Sequence, residues 1–246
     1  MKTSFRIIGL MILAGVAAIV PLRADAGIVL ATPTGLSAGA HFRFIFVTPT
    51  TTNASSTDIS TYDTFVRDMV STQYGAVTYG GSAITNWLSL GSTSTVNAKD
   101  HLGGYSSTVS VWRPDGTQVA TSMSTSTGGL WSGTLLSNPD QTLNGTAPPG
   151  IQFKWTGSNT SGVASSGLAN PLGSGGSVGF GYIGTAANWI AYSSGSPDFP
   201  LHLYGVSPEL VVPGAVPEID PAGIGSVLAL VTGALGLLER RRLKTA

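Results

Sequence analysis

Two serines framed by glycines are the first places in this sequence where chemistry could occur. Gly35-Leu-Ser37-Ala-Gly39 and Gly175-Gly-Ser177-Val-Gly179 both match G-x-S-x-G, a pattern in which a sharp strand-to-helix turn exposes a nucleophilic serine. Neither match is followed by a helical pattern, because Ser37 runs into a Phe-rich strand and Ser177 begins an apolar one. We therefore predict no catalytic residue, and an extracellular serine hydrolase remains only a distant alternative.

Cofactor and metal chemistry have equally weak candidates. Gly179-Phe-Gly181-Tyr-Ile-Gly184 matches G-x-G-x-x-G, but no alternation of strands and helices surrounds it, so a strand with closely approaching backbones is predicted. His41, His101 and His202 lie far apart, and none has a second ligand at metal-binding spacing. The chain has no Cys, which excludes thiolate catalysis, Cys-ligated metals and disulfides. We predict no cofactor and no metal site.

Charge limits the classes of partner. The 12 basic and 12 acidic residues balance, and only 10% of the 246 residues are charged. Without a basic block the chain lacks the electrostatic footprint of nucleic-acid binding. Asp63 and Asp68 show no calcium-loop spacing and are expected on solvated faces.

Large aromatic rings are the remaining binding candidates. Most of the five Trp residues should be core, because burying each ring removes 150 to 250 Å² of surface in a chain without disulfides. Trp131 and Trp189 adjoin predicted loops. These two are the candidates for stacking on sugars.

The N-terminus has the three parts of a secretory signal. Lys2 and Arg6 precede an apolar run at 7–20, and Ala24-Asp25-Ala26 follows as an A-x-A cleavage site. The run is shorter than the roughly 17 to 25 residues of a membrane span. Residues 1–26 are predicted to be a signal peptide, which leaves Gly27 as the first mature residue.

The C-terminal sequence predicts a short membrane anchor. An apolar, glycine-rich stretch at 222–238 predicts a transmembrane helix. Its basic stop in the tail at 239–246 consists of Arg240, Arg241, Arg242 and Lys244. The positive-inside rule puts this tail in the cytoplasm and the preceding residues outside.

A short motif precedes this helix: Val216-Pro217-Glu218-Ile219-Asp220-Pro221. Together with the helix and the basic tail it resembles the PEP-CTERM sorting signal of bacterial surface proteins. The departure is Ile219, which replaces the usual proline after the glutamate, with a proline following at Pro221. The resemblance implies recognition through Pro217 and Glu218 by an exosortase-type membrane enzyme, a transient anchor, and a context of exopolysaccharide and biofilm matrix.

The sequence between the two terminal signals predicts a hydroxyl-rich sheet with one main helix. Between residues 27 and 216 there are 27 Ser and 25 Thr but only eight acidic and five basic residues. Phe42, Phe44 and Phe46 alternate in a strand at 41–47. Apolar residues at steps of three and four then predict a helix at 59–72, with Thr57 or Asp58 as N-cap. Short strands are predicted at 83–90, 109–112, 117–120, 151–155, 177–183, 189–192 and 201–206.

The order of these elements and motifs resembles C-type-lectin-like domains of the endostatin type over roughly residues 40 to 210. The motifs lie at 86–89, 112–119, 130–133, 154–157, 179–184 and 201–204. The resemblance implies a single α+β domain at 27–207, a twisted antiparallel sheet with one main helix and long loops. No counterpart of the family's disulfides or of its Glu-Pro-Asn and Trp-Asn-Asp calcium-sugar motifs occurs, so no calcium ligand is carried over. The rival fold is an all-β sandwich that carries the helix as an insertion.

The functional prediction is a non-enzymatic surface or matrix protein. Its expected work is adhesion or carbohydrate association, with exopolysaccharide as partner, after transient anchoring in the inner membrane through residues 222–238 and a linker at 208–221. The nearest alternative is a structural matrix component without a specific ligand. The PEP-CTERM resemblance also allows O-glycosylation of the hydroxyl-rich surface, whereas the three N-x-S/T sequons are attributed to chance.

Overall fold

The computed structural model describes residues 27–150 and 152–214. The predicted signal peptide with Ala24 and Ala26, the sorting motif at 216–221, the transmembrane helix and the basic tail with Arg240, Arg241, Arg242 and Lys244 lie outside these residues and stay predictions. Within the described residues, no helix combines the length and apolar character needed to cross a membrane.

The described chain forms a sheet-rich single domain with two α-helices. The helices are α1 (Ile59–Tyr74) and α2 (Ala98–His101). The strands are β1 (Ile28–Val29), β2 (His41–Val47), β3 (Val77–Tyr79), β4 (Ser82–Ala83), β5 (Leu88–Ser89), β6 (Ser110–Trp112), β7 (Gln118–Ala120), β8 (Phe153–Trp155), β9 (Val178–Tyr182), β10 (Ser193–Gly195), β11 (His202–Val206) and β12 (Leu210–Val211).

Strand β2 lies in the middle of the main sheet and is buried on both sides. The nine-stranded sheet of the described chain runs β10-β9-β8-β11-β2-β6-β7, with β12 also paired to β2 and β5 to β11. Phe42, Phe44 and Phe46 enter one core cluster, as the alternation predicts, and pack against α1 and Trp87. Ile45 and Val47 enter a second core cluster on the opposite side. The sheet therefore separates two apolar cores.

The sheet is mixed, which corrects the prediction of an antiparallel sheet. Strands β2 and β6 are parallel, as are β11 and β8 in the main sheet and β1 and β3 in a separate three-stranded sheet with β4. Parallel neighbours require long connections rather than hairpins, and the chain between β2 and β6 includes both helices. The direction of such pairings is set by long-range packing, which short motifs do not encode.

Three further elements differ from the prediction. The predicted strand at 83–90 is replaced by the two short strands β4 and β5, with no strand at 84–87. The predicted strand at 189–192 is absent from the described fold. Residues 183–190 form turns and bends, Trp189 and Ile190 are buried there, and β10 begins only at Ser193. The predicted linker at 208–221 begins inside the domain, since β12 pairs with the start of β2. An ion pair between His41 Nδ1 and Glu209 Oε1 at 2.5 Å supports this attachment.

Helix α1 begins and ends where local chemistry dictates. The Asp58 carboxylate accepts a hydrogen bond from the Ser60 amide at 2.9 Å and caps the helix, as predicted. The helix ends at Tyr74, two residues beyond the predicted end, because Gly75 adopts a φ of 64° that few other residues tolerate. Its apolar stripe, including Tyr62, Val66 and Met69, is buried against the sheet.

Asp63 is buried, which corrects its assignment to a solvated face. Its Oδ1 accepts hydrogen bonds from the Ser89 amide at 2.7 Å, the Ser89 hydroxyl at 2.9 Å and His101 Nε2 at 3.0 Å. Burial raises the pKa of the Asp63 carboxyl, but the bonds from His101 and Ser89 outweigh burial and hold the pKa below its ordinary 3.8. One carboxylate thus fastens α1 to β5 and α2.

Replacing Asp63 with Asn should therefore destabilise the domain by about 2 kcal/mol at pH 7, since charge-assisted hydrogen bonds are lost from a buried site. The group's pKa is depressed in the folded state, so its stabilisation is complete above 3.8 and is lost as pH falls through the lower folded value. Urea unfolding should show that the difference in the free energy of unfolding between wild type and Asp63→Asn becomes smaller below about pH 4.

The matched control is Asp68→Asn, which alters an exposed carboxylate on the same helix. We expect this variant to remain within ~0.5 kcal/mol of wild type at both pH values. Equal stability of Asp63→Asn and Asp68→Asn at pH 7 would contradict a fastening role for Asp63.

Candidate functional site

The candidate site originates in the alternating sequence of β9, Val178-Gly-Phe-Gly-Tyr182. Its two glycines point to the side where other backbone lies very close. A Cβ on Gly181 would lie 1.8 Å from the carbonyl oxygen of Trp189, and one on Gly179 would lie 2.4 Å from that of Leu168. This confirms the prediction of a strand with closely approaching backbones. Strand alternation then turns Phe180 and Tyr182 to the opposite side.

Four rings come together on that side. Phe153 of β8 has ring-centroid distances of 5.1 Å to Phe180, 5.6 Å to Tyr182 and 5.9 Å to Tyr192. Tyr192, which directly precedes β10, also lies 5.2 Å from Tyr182. We call Phe153, Phe180, Tyr182 and Tyr192 the aromatic face.

The aromatic face is open to solvent and firmly supported. Tyr192 is 43% exposed, and the other three side chains are partly exposed. Below them, the fully buried Trp155 contacts Phe180 edge-on at 6.0 Å and donates its indole N–H to the Thr52 and Phe199 carbonyls. Phe199 is 58% exposed and lies beside Phe180 across Gly195. Clustered exposed rings of this kind mark interaction sites.

The polar groups of this surface are uncharged. In the described chain the phenolic hydroxyls of Tyr182 and Tyr192 form no hydrogen bond with protein, so they can bond a ligand. Strand β10 adds the partly exposed Ser193, whose register partner is Phe180. The face itself holds no charged side chain.

A buried cation lies directly behind this surface. Lys154 follows Phe153 in β8 but is fully buried, and burial lowers the pKa of its ammonium group to about 7. His202 is its neighbour in the parallel register, with Nδ1 2.6 Å from the Thr48 carbonyl oxygen. Burial, and then the charge of Lys154, lower the pKa of His202. Both groups act inside the fold and not at the aromatic face.

Trp131 and Trp189 are not at the surface, which corrects their assignment as sugar-stacking residues. They are 2% and 0% exposed, and their centroids lie 6.4 Å apart in the second core cluster. Trp189 also meets Tyr204 edge-on at 5.7 Å, and the Tyr204 hydroxyl donates to its carbonyl oxygen. A domain without disulfides uses these large rings to fill its interior.

The two glycine-framed serines lie in different surroundings. Ser37 is exposed beside the turn that leads into β2. The Ser177 hydroxyl accepts a hydrogen bond from the Asn170 side-chain amide at 2.9 Å. Within residues 27–150 and 152–214, neither serine hydroxyl bonds a histidine, and no group of three or more His, Asp or Glu side chains could hold a metal ion.

The aromatic face was missed by sequence reasoning that ranked rings by size and proximity to loops. The sequence of β9 contained the relevant signal. Its glycines alternate with aromatic residues, so one side of the strand has no side chains and can pack against backbone, while the other side carries the rings. Tyr192 carried a weaker signal, since it precedes an edge strand of Ser and Gly. Phe153 lies in a predicted strand, but its pairing with β9 is a long-range contact.

Comparison with known sequences assigns the chain to no family. The chain matches no family model, and no curated protein is detectably similar to it. The aromatic face and the sequence signals at the two ends are therefore the features from which a function can be inferred.

Gly181→Ala should destabilise the domain by about 3 kcal/mol, because its Cβ would overlap the Trp189 carbonyl group and force apart the backbones that hold β9 in place. Thermal or urea unfolding measures the loss. Gly176→Ala is the matched control, since the space around its Cβ is open and its φ is not positive. A Gly181→Ala protein as stable as Gly176→Ala would show that this close approach does not constrain the strand.

Proposed function

We propose that the protein is exported, anchored transiently by its C-terminal segment, processed by an exosortase-type enzyme, and then acts at the cell surface or in the extracellular matrix. Its work is non-enzymatic association with carbohydrate. The signal sequence at 1–26 and the sorting motif with Pro217 and Glu218 support the delivery. The aromatic face supports the association.

Exposed aromatic rings suit sugars for a physical reason. The face of an aromatic ring carries negative charge density and its contacts are apolar, so it attracts the weakly positive C–H groups on one side of a pyranose. The free hydroxyls of Tyr182 and Tyr192 can bond the sugar's own hydroxyls. The single observation that carries this proposal is the cluster of four contacting, partly exposed rings, none of which carries a charge.

We also propose that the domain is C-type-lectin-like. The main helix supports this topology, because α1 is capped by Asp58, fastened through Asp63 and packed into the larger core. An insertion in an all-β sandwich would not need such a buried attachment. The long irregular connections on both sides of β8 fit the same proposal. Carbohydrate association here is calcium-independent, since the sequence lacks the calcium-sugar motifs.

The alternative is a structural matrix component that fills space and binds no specific ligand. Its hydroxyl-rich, nearly uncharged composition fits such a role. The two proposals differ in one respect: only specific association requires the rings of the aromatic face.

Tyr192→Ala should weaken retention by the producing cells' own exopolysaccharide about fivefold, which corresponds to the loss of roughly 1 kcal/mol of ring contact. Affinity electrophoresis in gels containing the purified polysaccharide measures the change. Tyr192→Phe should lose less, because it keeps the ring and removes only the hydroxyl.

Tyr105→Ala is the matched control, since Tyr105 is 52% exposed but lies outside the aromatic face, over Lys99. It should be retarded as strongly as wild type. If Tyr192→Ala and Tyr105→Ala behave alike, the structural alternative is favoured over specific association.

Processing makes a separate prediction about mass. The intact mass of the protein released from cells should correspond to a chain that begins at Gly27 and lacks the segment after the sorting motif, with any excess attributable to O-glycans. Replacing both Pro217 and Glu218 with Ala should leave the protein in the membrane fraction, because the recognition residues are lost. Pro213→Ala, in the preceding linker, should be released normally. A membrane-retained wild-type protein that still carries Met1 contradicts this route.

A further inference from the structure

The rings of the aromatic face are inclined to one another. Phe153 and Tyr192 are nearly parallel at 15°, but Tyr182 is turned by 38° from Tyr192 and by 44° from Phe153. Phe180 is turned by 57° from Phe153. These angles accompany the twist of a sheet, which rotates each strand relative to the next. No single plane therefore contacts all four rings.

A flat ligand surface does not fit this geometry. The face of a crystalline polysaccharide presents its sugars in one plane, whereas most of the ring planes are inclined to one another, and the two nearly parallel rings, Phe153 and Tyr192, are stacked on each other instead of lying side by side. A single chain in solution can turn between one sugar and the next. Such a chain can follow the change of ring orientation from Tyr182 to Phe180.

The rings are also too close to form a cation cage. The five centroid distances among the four side chains run from 5.1 Å to 6.3 Å, so the rings contact each other and leave no gap for a quaternary ammonium group. They form a platform on which a ligand lies.

The negative charge density of the ring faces disfavours binding of acidic sugars. The negative face of an aromatic ring repels an anion placed over it. The face supplies no basic side chain to offset a carboxylate, and Lys154 of β8 is buried behind it. The available polar groups are the hydroxyls of Tyr182 and Tyr192 and that of Ser193, which pairs with Phe180.

Phe199 extends the platform at one end. A Cβ on Gly195 would lie 3.3 Å from the Phe180 ring and 3.7 Å from the Phe199 ring, so only a glycine-sized gap separates them. Because Phe199 is 58% exposed, a longer ligand can reach it. The platform thus offers contacts to several consecutive sugars.

We infer that the aromatic face, with Phe199, binds one soluble chain of an uncharged polysaccharide, and that it binds neither crystalline polysaccharide surfaces nor acidic polysaccharides. This inference depends on the proposed carbohydrate association and specifies its ligand class.

The experiment compares four probes with the surface-released protein. Two are soluble neutral glucans, laminarin and dextran; the others are microcrystalline cellulose and soluble polygalacturonate. Affinity electrophoresis is used for the soluble probes and depletion by sedimentation for cellulose. At least one neutral glucan should retard the wild type, and Tyr192→Ala and Phe199→Ala should each weaken that retardation about fivefold, whereas Tyr105→Ala should not.

The outcomes separate this inference from the proposed function. Tyr192-dependent binding of cellulose or polygalacturonate as strong as that of the neutral glucans overturns the inference. Tyr192-dependent binding of the native exopolysaccharide without binding of either neutral glucan also overturns it. Failure to bind any polysaccharide, the native one included, overturns the proposed function itself. Circular dichroism of Tyr192→Ala and Phe199→Ala checks folding, and since each side chain is largely exposed, either variant suffices for the comparison.

Discussion

Burial of β2 on both faces is the constraint on which the rest of this fold depends. The chain contains neither disulfides nor many charges, so apolar packing must supply nearly all of its stability. Phe42, Phe44 and Phe46 require a cover on one side of the sheet, and Ile45 and Val47 require one on the other. Helix α1 supplies much of the first cover, and the long connections between strands supply the second. Those connections must therefore contain large apolar side chains, which explains why Trp131 and Trp189 are buried within them.

The described chain buries few ionisable side chains, among them Asp63 and Lys154. The Asp63 carboxylate is compensated by three hydrogen bonds that cross three elements. Lys154 is also fully buried, and burial lowers the pKa of its ammonium group to about 7. The pKa of His202 is also lowered, mainly by burial and secondly by the charge of Lys154. The region behind the aromatic face thus carries less charge than its residue types suggest.

Sequence reasoning recovered the features that are determined locally. Helix α1 was predictable because its apolar period and its cap at Asp58 lie within a few residues of each other. Strand β2 was predictable from alternation alone. The parallel pairing of β2 with β6 was not, and neither was the bond between Asp63 and His101, because both join parts of the chain that are distant in sequence. For the candidate site, the glycines of β9 indicated close packing on one side, but the contact between Phe153 and Tyr192 could be found only from coordinates.

The position of the aromatic face follows from the way the larger core ends. Trp155 is the last fully buried ring of that core at β8, and Phe180 packs on its edge. Beyond it the sheet continues to β10, whose Ser-Ser-Gly sequence supplies no side chain large enough to cover the rings of β9. Phe180, Tyr182 and Tyr192 are therefore left open because the sheet extends farther than its cover. Rings at such an edge of the core are held in place by packing on one side and are exposed to solvent on the other. Those two properties let a side chain bind a ligand without being ordered first, since the conformational entropy has already been lost on folding.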